Sequence, residues 1–195
     1  MINSASMILS ELANEYNAPK NKLLALEKKG IYHKIVKGLY ESENDVSPLL
    51  LAGAVYGPSY VSFETALSFW GMIPEKVFAV TSATTGKNRT KRFESGFGTF
   101  LYRDVSQEAF PFEIYIKSID GRNFLISGRE KALCDILYRE KPLHSVKRLK
   151  EFFFENLRIE ESDFTALDFT VIQDLCPLYK STNVKLLAAF AEERK

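Results

Sequence analysis

The run Tyr60-Val-Ser-Phe-Glu-Thr-Ala-Leu-Ser-Phe-Trp-Gly-Met-Ile-Pro-Glu75 constrains the fold of this chain more than any other segment. It holds the start, the buried face and the end of one helix. Ser62 is the expected N-cap. Phe63, Ala66, Leu67 and Trp70 recur at i, i+3, i+4 and i+7, which sets them on one apolar stripe. Gly71 suits the left-handed position that closes a helix, and Pro74 keeps the helix from resuming. Val77-Phe-Ala-Val-Thr81 then reads as a strand. The segment carries no chemistry of its own.

Upstream, residues 4–16 predict an amphipathic helix, with Ile8, Leu9, Leu12, Ala13 and Tyr16 on one face and Ser4 or Ser6 as cap. Asn17-Ala-Pro19 ends it and starts a second helix, since proline is tolerated in a first turn. That helix carries Leu23, Leu24 and Leu26 and stops at Gly30. Residues 31–35 and 39–41 read as short strands turning at Val36-Lys37-Gly38. Helix, turn, helix, hairpin is the order of a small winged-helix unit. Residues 41–46 are polar and acidic, as a linker would be. Ser47-Pro48 opens a third helix over 49–56, which is placed to complete the bundle from beyond the wing.

Residues 77–126 are rich in strands. Thr99, Leu101 and Arg103 alternate against Phe100, Tyr102 and Asp104, and Phe112, Ile114 and Ile116 alternate against Glu113, Tyr115 and Lys117. Asp120-Gly121 signals a hairpin turn. Ser127-Gly-Arg-Glu130 fits a capping box opening a helix with Ala132, Leu133, Ile136 and Leu137 inside. The remainder predicts helices over 145–157, 162–167 and 168–176, the last broken at Pro177, and a final helix capped by Thr182 or Asn183. The expected fold class is α+β, with a winged-helix-like module over 1–45. An antiparallel-sheet domain with C-terminal helices follows over 46–195.

An apolar content of 46% and a charged content of 26% are ordinary for a chain able to bury a core without metals or disulfides. Cys134 and Cys176 have no C-x-x-C spacing and read as buried free thiols in a reducing compartment. No apolar run reaches membrane-spanning length. The expectation is a soluble, cytoplasmic protein without a membrane partner.

The formal net charge of +1 conceals a dipole. Between Asn17 and Tyr40 stand Lys20, Lys22, Lys28, Lys29, Lys34 and Lys37 against the single acid Glu27. Between Glu151 and Asp174 stand Glu151, Glu155, Glu160, Glu161, Asp163, Asp168 and Asp174 against Arg158 alone. A basic helix–turn–helix–hairpin suits DNA. Asn17, Lys20, Asn21 and Lys22 would lead the second helix into the major groove. Lys34 and Lys37 would rest on phosphates, giving affinity without sequence information. Lys87, Arg89, Lys91 and Arg92 form a second basic segment, and Arg89, Lys91 and Arg92 join the candidate DNA contacts. A solvated lysine face and a charged loop are the plain alternatives for the two segments.

Catalysis is not expected. Glu113, Lys117, Glu130, Lys131 and Asp135 hold the residue types of a metal-dependent nuclease. However, Glu130 is explained as a capping partner, and Asp135 as an ordinary polar position on a helix. His33 and His144 offer no nucleophile relay. No acidic cluster has zinc or calcium spacing, so neither a metal nor a cofactor is expected. The hydroxyl-rich Thr81-Ser-Ala-Thr-Thr-Gly86 is a candidate for binding an anion through backbone amides, but it lacks the P-loop spacing and reads first as strand-to-loop punctuation.

Four segments occur in order: Gly30-Ile-Tyr-His-Lys-Ile-Val-Lys-Gly-Leu-Tyr40, Tyr60-Val-Ser-Phe-Glu-Thr-Ala-Leu-Ser68, Val80-Thr-Ser-Ala-Thr84 and Ser127-Gly-Arg-Glu-Lys-Ala-Leu-Cys-Asp-Ile-Leu-Tyr138. Together they resemble the AbiEi-type antitoxins of bacterial type IV toxin–antitoxin and abortive-infection systems. The resemblance runs from about Leu23 to the C-terminal helix. It implies a winged-helix domain that binds operator DNA and represses its own operon. It also implies a second domain that opposes a nucleotidyltransferase toxin without a stable complex. The family's wing turn falls on Lys34, Lys37 and Gly38. Arg129 stands where the family usually has proline. An RNA- or protein-interaction module with a vestigial winged helix is the alternative expectation.

Overall fold

The computed structural model describes residues 1–75 and 77–192. The chain is α+β and is organised by two sheets. The smaller sheet consists of β1 (Ile2–Ser4), β2 (His33–Val36) and β3 (Leu39–Glu41), antiparallel throughout in the order β1-β3-β2. Between β1 and β2 lie α1 (Ala5–Ala13) and α2 (Pro19–Lys28). The Ser4 hydroxyl accepts from the Met7 amide at 3.2 Å, so Ser4 caps α1 as expected. Helix 4–16 is shorter than its apolar pattern suggested, and Ile2–Ser4 is a strand because β3 offers it a free edge. Ile8, Leu23 and Tyr40 form a small core of their own.

The larger sheet has the order β6-β7-β5-β4-β9-β8. Its strands are β4 (Tyr60–Val61), β5 (Ala79–Thr84), β6 (Lys91–Ser95), β7 (Gly98–Asp104), β8 (Ile114–Ile119) and β9 (Arg122–Ser127). It is mixed, where an antiparallel sheet was expected. The chain leaves β5, passes over the neighbouring position to the edge strand β6, and returns by a hairpin into the gap. That return makes β7 parallel to β5. β4 and β9 are likewise parallel. β8 is the other edge, and its outer face is uncovered. Ile116 is therefore 68% exposed, and Phe112, read as part of the same alternation, precedes the strand and is half exposed. Phe78, expected within a strand, precedes β5 and is exposed.

α3 (Pro48–Val55) buries Leu50, Leu51, Ala52 and Val55 in the core of the large sheet. The Tyr102 hydroxyl donates to the Ala52 carbonyl at 2.6 Å. This corrects the expectation that α3 completes an N-terminal bundle: an apolar helix of this kind goes where the larger apolar surface is. α4 (Phe63–Phe69) lies on the opposite face, where Glu64 meets Arg103 from β7 at 2.9 Å. Its close is as read: Gly71 has φ +74, the Gly71 amide bonds the Ser68 carbonyl, and the Met72 amide bonds the Leu67 carbonyl.

α5 (Arg129–Arg139), α6 (Val146–Lys150), α7 (Glu161–Thr165), α8 (Phe169–Tyr179) and α9 (Thr182–Glu192) cover the α4 side. α6 runs on as a π-helical turn over Glu151–Asn156. α8 continues through Pro177, which lies in its last turn, and ends at Lys180 in the left-handed region. Asn183 is buried inside α9 rather than free to cap it. Its amide nitrogen donates to the carbonyls of Leu137, in the last turn of α5, and of Glu140 and Lys141 just beyond it.

In the segment read as a linker, residues 42–45 are exposed and belong to no helix or strand, but both ends, Glu41 and Val46, are buried. Glu41 is fully buried and accepts from Arg122 Nη2 at 2.7 Å, tying β3 to β9. Among the described residues, no helix is long and apolar enough to cross a membrane.

Candidate nucleic-acid interface

Pro19 starts α2 without wasting an amide, and Leu23 holds the helix on the small core. That seating leaves Asn17, Lys20 and Asn21 exposed at the start of α2. Lys22 is half-buried, its ammonium 4.1 Å above the Tyr16 ring. Leu24 is 55% exposed on the same helix.

The β2–β3 turn is tight. Val36 faces Leu39, so Lys37 and Gly38 alone make the turn, and Gly38 takes φ +86, which a side chain resists. Lys34 and Lys37 are exposed while Ile35 between them is buried in the large core. The turn is braced from behind, where the Ala5 amide donates to the Gly38 carbonyl at 2.9 Å. β2 lies beside β6: Lys34 to Lys37 share a groove of about 550 Å³ with Phe93 to Gly96, and His33 packs edge-on to Phe97 at 6.4 Å. Lys34 and Lys37 thus neighbour the strand that begins with Lys91 and Arg92.

Part of the second basic segment is already engaged. Arg92 Nε donates to Glu94 at 2.6 Å. Arg89 donates to the Tyr56 hydroxyl at 3.2 Å, and the Lys87 ammonium lies 5.5 Å from the Tyr56 ring. The loop is held at its base by Asp104, which accepts from the amides of Lys87 and Asn88 and from the Thr84 hydroxyl. Thr81–Thr84 thus end β5 as strand-to-loop punctuation, and the amides that follow are taken by the chain's own carboxylate.

Of the residues weighed as a nuclease centre, Lys131 and Asp135 pair with each other at 2.8 Å, and the Glu113 and Glu130 carboxylates both lie beside Gly128, each with a partner of its own. Glu113 accepts from Tyr115, Lys117 lies over Trp70, and Glu130 accepts from the Asp168 amide at 3.0 Å. The Tyr115 hydroxyl is pushed up to about 12 by its bond to Glu113. Among the described residues, no group of His, Cys, Asp or Glu is placed to hold a metal. Cys134 is buried, and burial pushes its thiol up, whereas Cys176 is only partly covered.

Sequence reasoning missed a sealed polar network. Asp135 is wholly buried, not an outward helix position. Its carboxylate meets the equally buried Lys131 at 2.8 Å and accepts from Ser62 at 2.7 Å, from Tyr60 at 3.0 Å and from Tyr179. The Lys131 ammonium sits between the Tyr60 and Tyr179 rings, at 5.3 and 4.8 Å. Burial, and then the Asp135 charge, push both tyrosine hydroxyls well above their ordinary value. Ser62 thus spends its hydroxyl on Asp135 rather than on a cap, and Ser127 donates to Ser62 at 3.2 Å. With Glu130 on the Asp168 amide, the expected capping box dissolves, and Gly128 is the N-cap of α5. A signal was present: Lys131 and Asp135 are spaced i, i+4 within an otherwise apolar stretch.

No protein-family model matches this chain, and no curated protein matches it closely enough to count as a relative.

Proposed function

We propose that the chain is a DNA-binding autorepressor of the AbiEi antitoxin type, acting in the cytoplasm and not as an enzyme. Residues 1–45 act as a winged-helix module on operator DNA, and residues 46–195 oppose a nucleotidyltransferase toxin that is not stably bound. The observation that carries the reading is the braced, exposed pair Lys34 and Lys37 on a two-residue turn, set beside a strand that begins with two further cations. The β1-β3-β2 order around two helices also suits a winged unit. Asn17, Lys20 and Asn21 supply donors and acceptors for base edges, and the lysines supply phosphate contacts.

Lys91 is half-buried but makes no ion pair among the described residues, so it is the second segment's candidate for a backbone contact. Arg89 and Arg92 reach DNA only by leaving or sharing Tyr56 and Glu94. The test is a reporter driven by the DNA immediately upstream of the gene. Repression by the intact chain, lost when residues 1–45 are deleted, is the expected result. No repression by the intact chain overturns the reading. Toxin rescue by a chain starting at Ser47 would favour an RNA- or protein-interaction module instead.

A further inference from the structure

A second cleft lies apart from the wing, between the loop after β5 and the ends of α5 and α8. It is lined by Thr85, Arg89, Ser106, Tyr138, Arg139, Tyr179 and Lys180 among others, and encloses about 620 Å³. That is more than a bare phosphate needs and falls within the range of small-molecule sites, about 300–1,000 Å³. Three cations face it. Arg139 is exposed at the end of α5, and its guanidinium has no partner among the described residues. Arg89 has only the neutral Tyr56 hydroxyl, and Lys180 pairs with Glu108 at 2.5 Å across the rim.

Asp104 is the one carboxylate in the lining, and it is saturated by Thr84 and the loop amides. Those donors are neutral and leave its charge in place, so Arg139, Arg89 and Lys180 stand against the two carboxylates Asp104 and Glu108, and the balance is positive by one. The Thr85 hydroxyl is shielded from solvent and makes no hydrogen bond. An unmet buried hydroxyl costs stability unless a ligand satisfies it. The walls are firm. Tyr179 is locked inward by Lys131 and Asp135, Tyr138 packs on Tyr179 at 5.7 Å, and Ser106 donates to the Leu178 carbonyl.

We infer that this cleft binds a phosphorylated nucleoside, with Arg139, Arg89 and Lys180 on the phosphates and Tyr138 beside the base. Guanidinium groups suit phosphate because they offer paired donors in one plane. The phosphate could be that of a free nucleotide or the 5′ end of a strand, and the inference does not rest on operator binding.

The test is calorimetric titration of the full chain with ADP, adenosine, inorganic phosphate and a short single strand with and without a 5′-phosphate. ADP is expected to bind at least tenfold more tightly than adenosine. Arg139→Ala and Lys180→Ala, both at exposed side chains, should each weaken it about tenfold without moving the melting temperature or the affinity for upstream DNA. Preference for the 5′-phosphorylated strand over ADP would assign the site to strand ends. Saturation by none of the phosphorylated probes at about 5 mM, or ADP binding unchanged in the Arg139→Ala Lys180→Ala double variant, would overturn the assignment. Lys34→Glu with Lys37→Glu should leave ADP binding intact, which separates failure here from failure of the DNA reading.

Discussion

The hydroxyl of Ser62 donates to the carboxylate of Asp135 at 2.7 Å, across 73 residues of chain. This bond joins the start of α4 to the middle of α5, the two segments that the family resemblance leans on most. Lys131, Tyr60 and Tyr179 complete the shell around Asp135, so that each of its oxygens accepts twice. We predict that Asp135→Ala leaves Lys131 as an uncompensated buried charge and destabilises the fold by about 3–5 kcal/mol. The double change Lys131→Met with Asp135→Leu should cost much less than the single. Urea denaturation decides it, and a single change no worse than the double would refute the coupling.

Trp70 is only half-buried, but its indole N–H donates to the Ser127 carbonyl at 2.9 Å and its ring lies under the Lys117 ammonium. Trp70→Ala is expected to cost about 2–3 kcal/mol, below the range for a fully buried tryptophan. Trp70→Phe keeps most of the packing and should cost about 1 kcal/mol for the lost hydrogen bond. Both variants should retain DNA binding once folded. A Trp70→Ala protein that melts like wild type yet loses DNA binding would contradict the structural role.

Burial works against ionisation of Glu41, but hydrogen bonds from the Met1 amino group and Arg122 outweigh it and hold its carboxyl below the usual range. On acidification the unfolded chain then takes up its proton first. Glu41 therefore contributes stability above the ordinary carboxylate range, and this is lost as pH falls through the lowered folded value. Glu41→Gln should be less stable than wild type at pH 7, with the gap narrowing from about pH 5 downward. A gap that stays constant or widens in acid would be the wrong sign.

Much of the fold was legible in the residues. The close of α4 at Gly71, the proline start of α2, the β2–β3 turn and the Asp120-Gly121 hairpin all rest on local chemistry, and local chemistry survives folding. β1 and β4 were not legible, because two or three residues are too few to show a period. Parallel pairing of β5 with β7 depends on where a hairpin is inserted, which no local pattern encodes. The exposure of Ile116 reflects its place on an edge strand. Ser62, Ser127 and Glu130 were assigned to caps because cap rules consider only near neighbours, whereas their partners lie 73, 65 and 38 residues away. The candidate DNA contacts on α2 and the wing were legible as charge. That Arg92 and Arg89 are held by Glu94 and Tyr56 was not.

Within the second basic segment, pairing rather than exposure ranks the cations, since Arg92 is exposed but paired and Lys91 is half-buried. Lys91→Ala is predicted to weaken DNA binding about equally for all sequences and to lower the salt slope by about 1. Arg92→Ala should do less, since that guanidinium already faces Glu94. Fluorescence anisotropy with upstream and unrelated duplexes would check the order, and a larger loss from Arg92→Ala would reverse the ranking.

The most direct test of the central claim is the salt dependence of binding to the DNA just upstream of the gene, for wild type and for Lys34→Glu with Lys37→Glu. Both side chains are exposed, so the double variant should melt like wild type. The prediction is a loss of affinity of tenfold or more, with the slope of log K against log salt shallower by about 2. Unchanged affinity and slope in a folded double variant would contradict a DNA-binding wing.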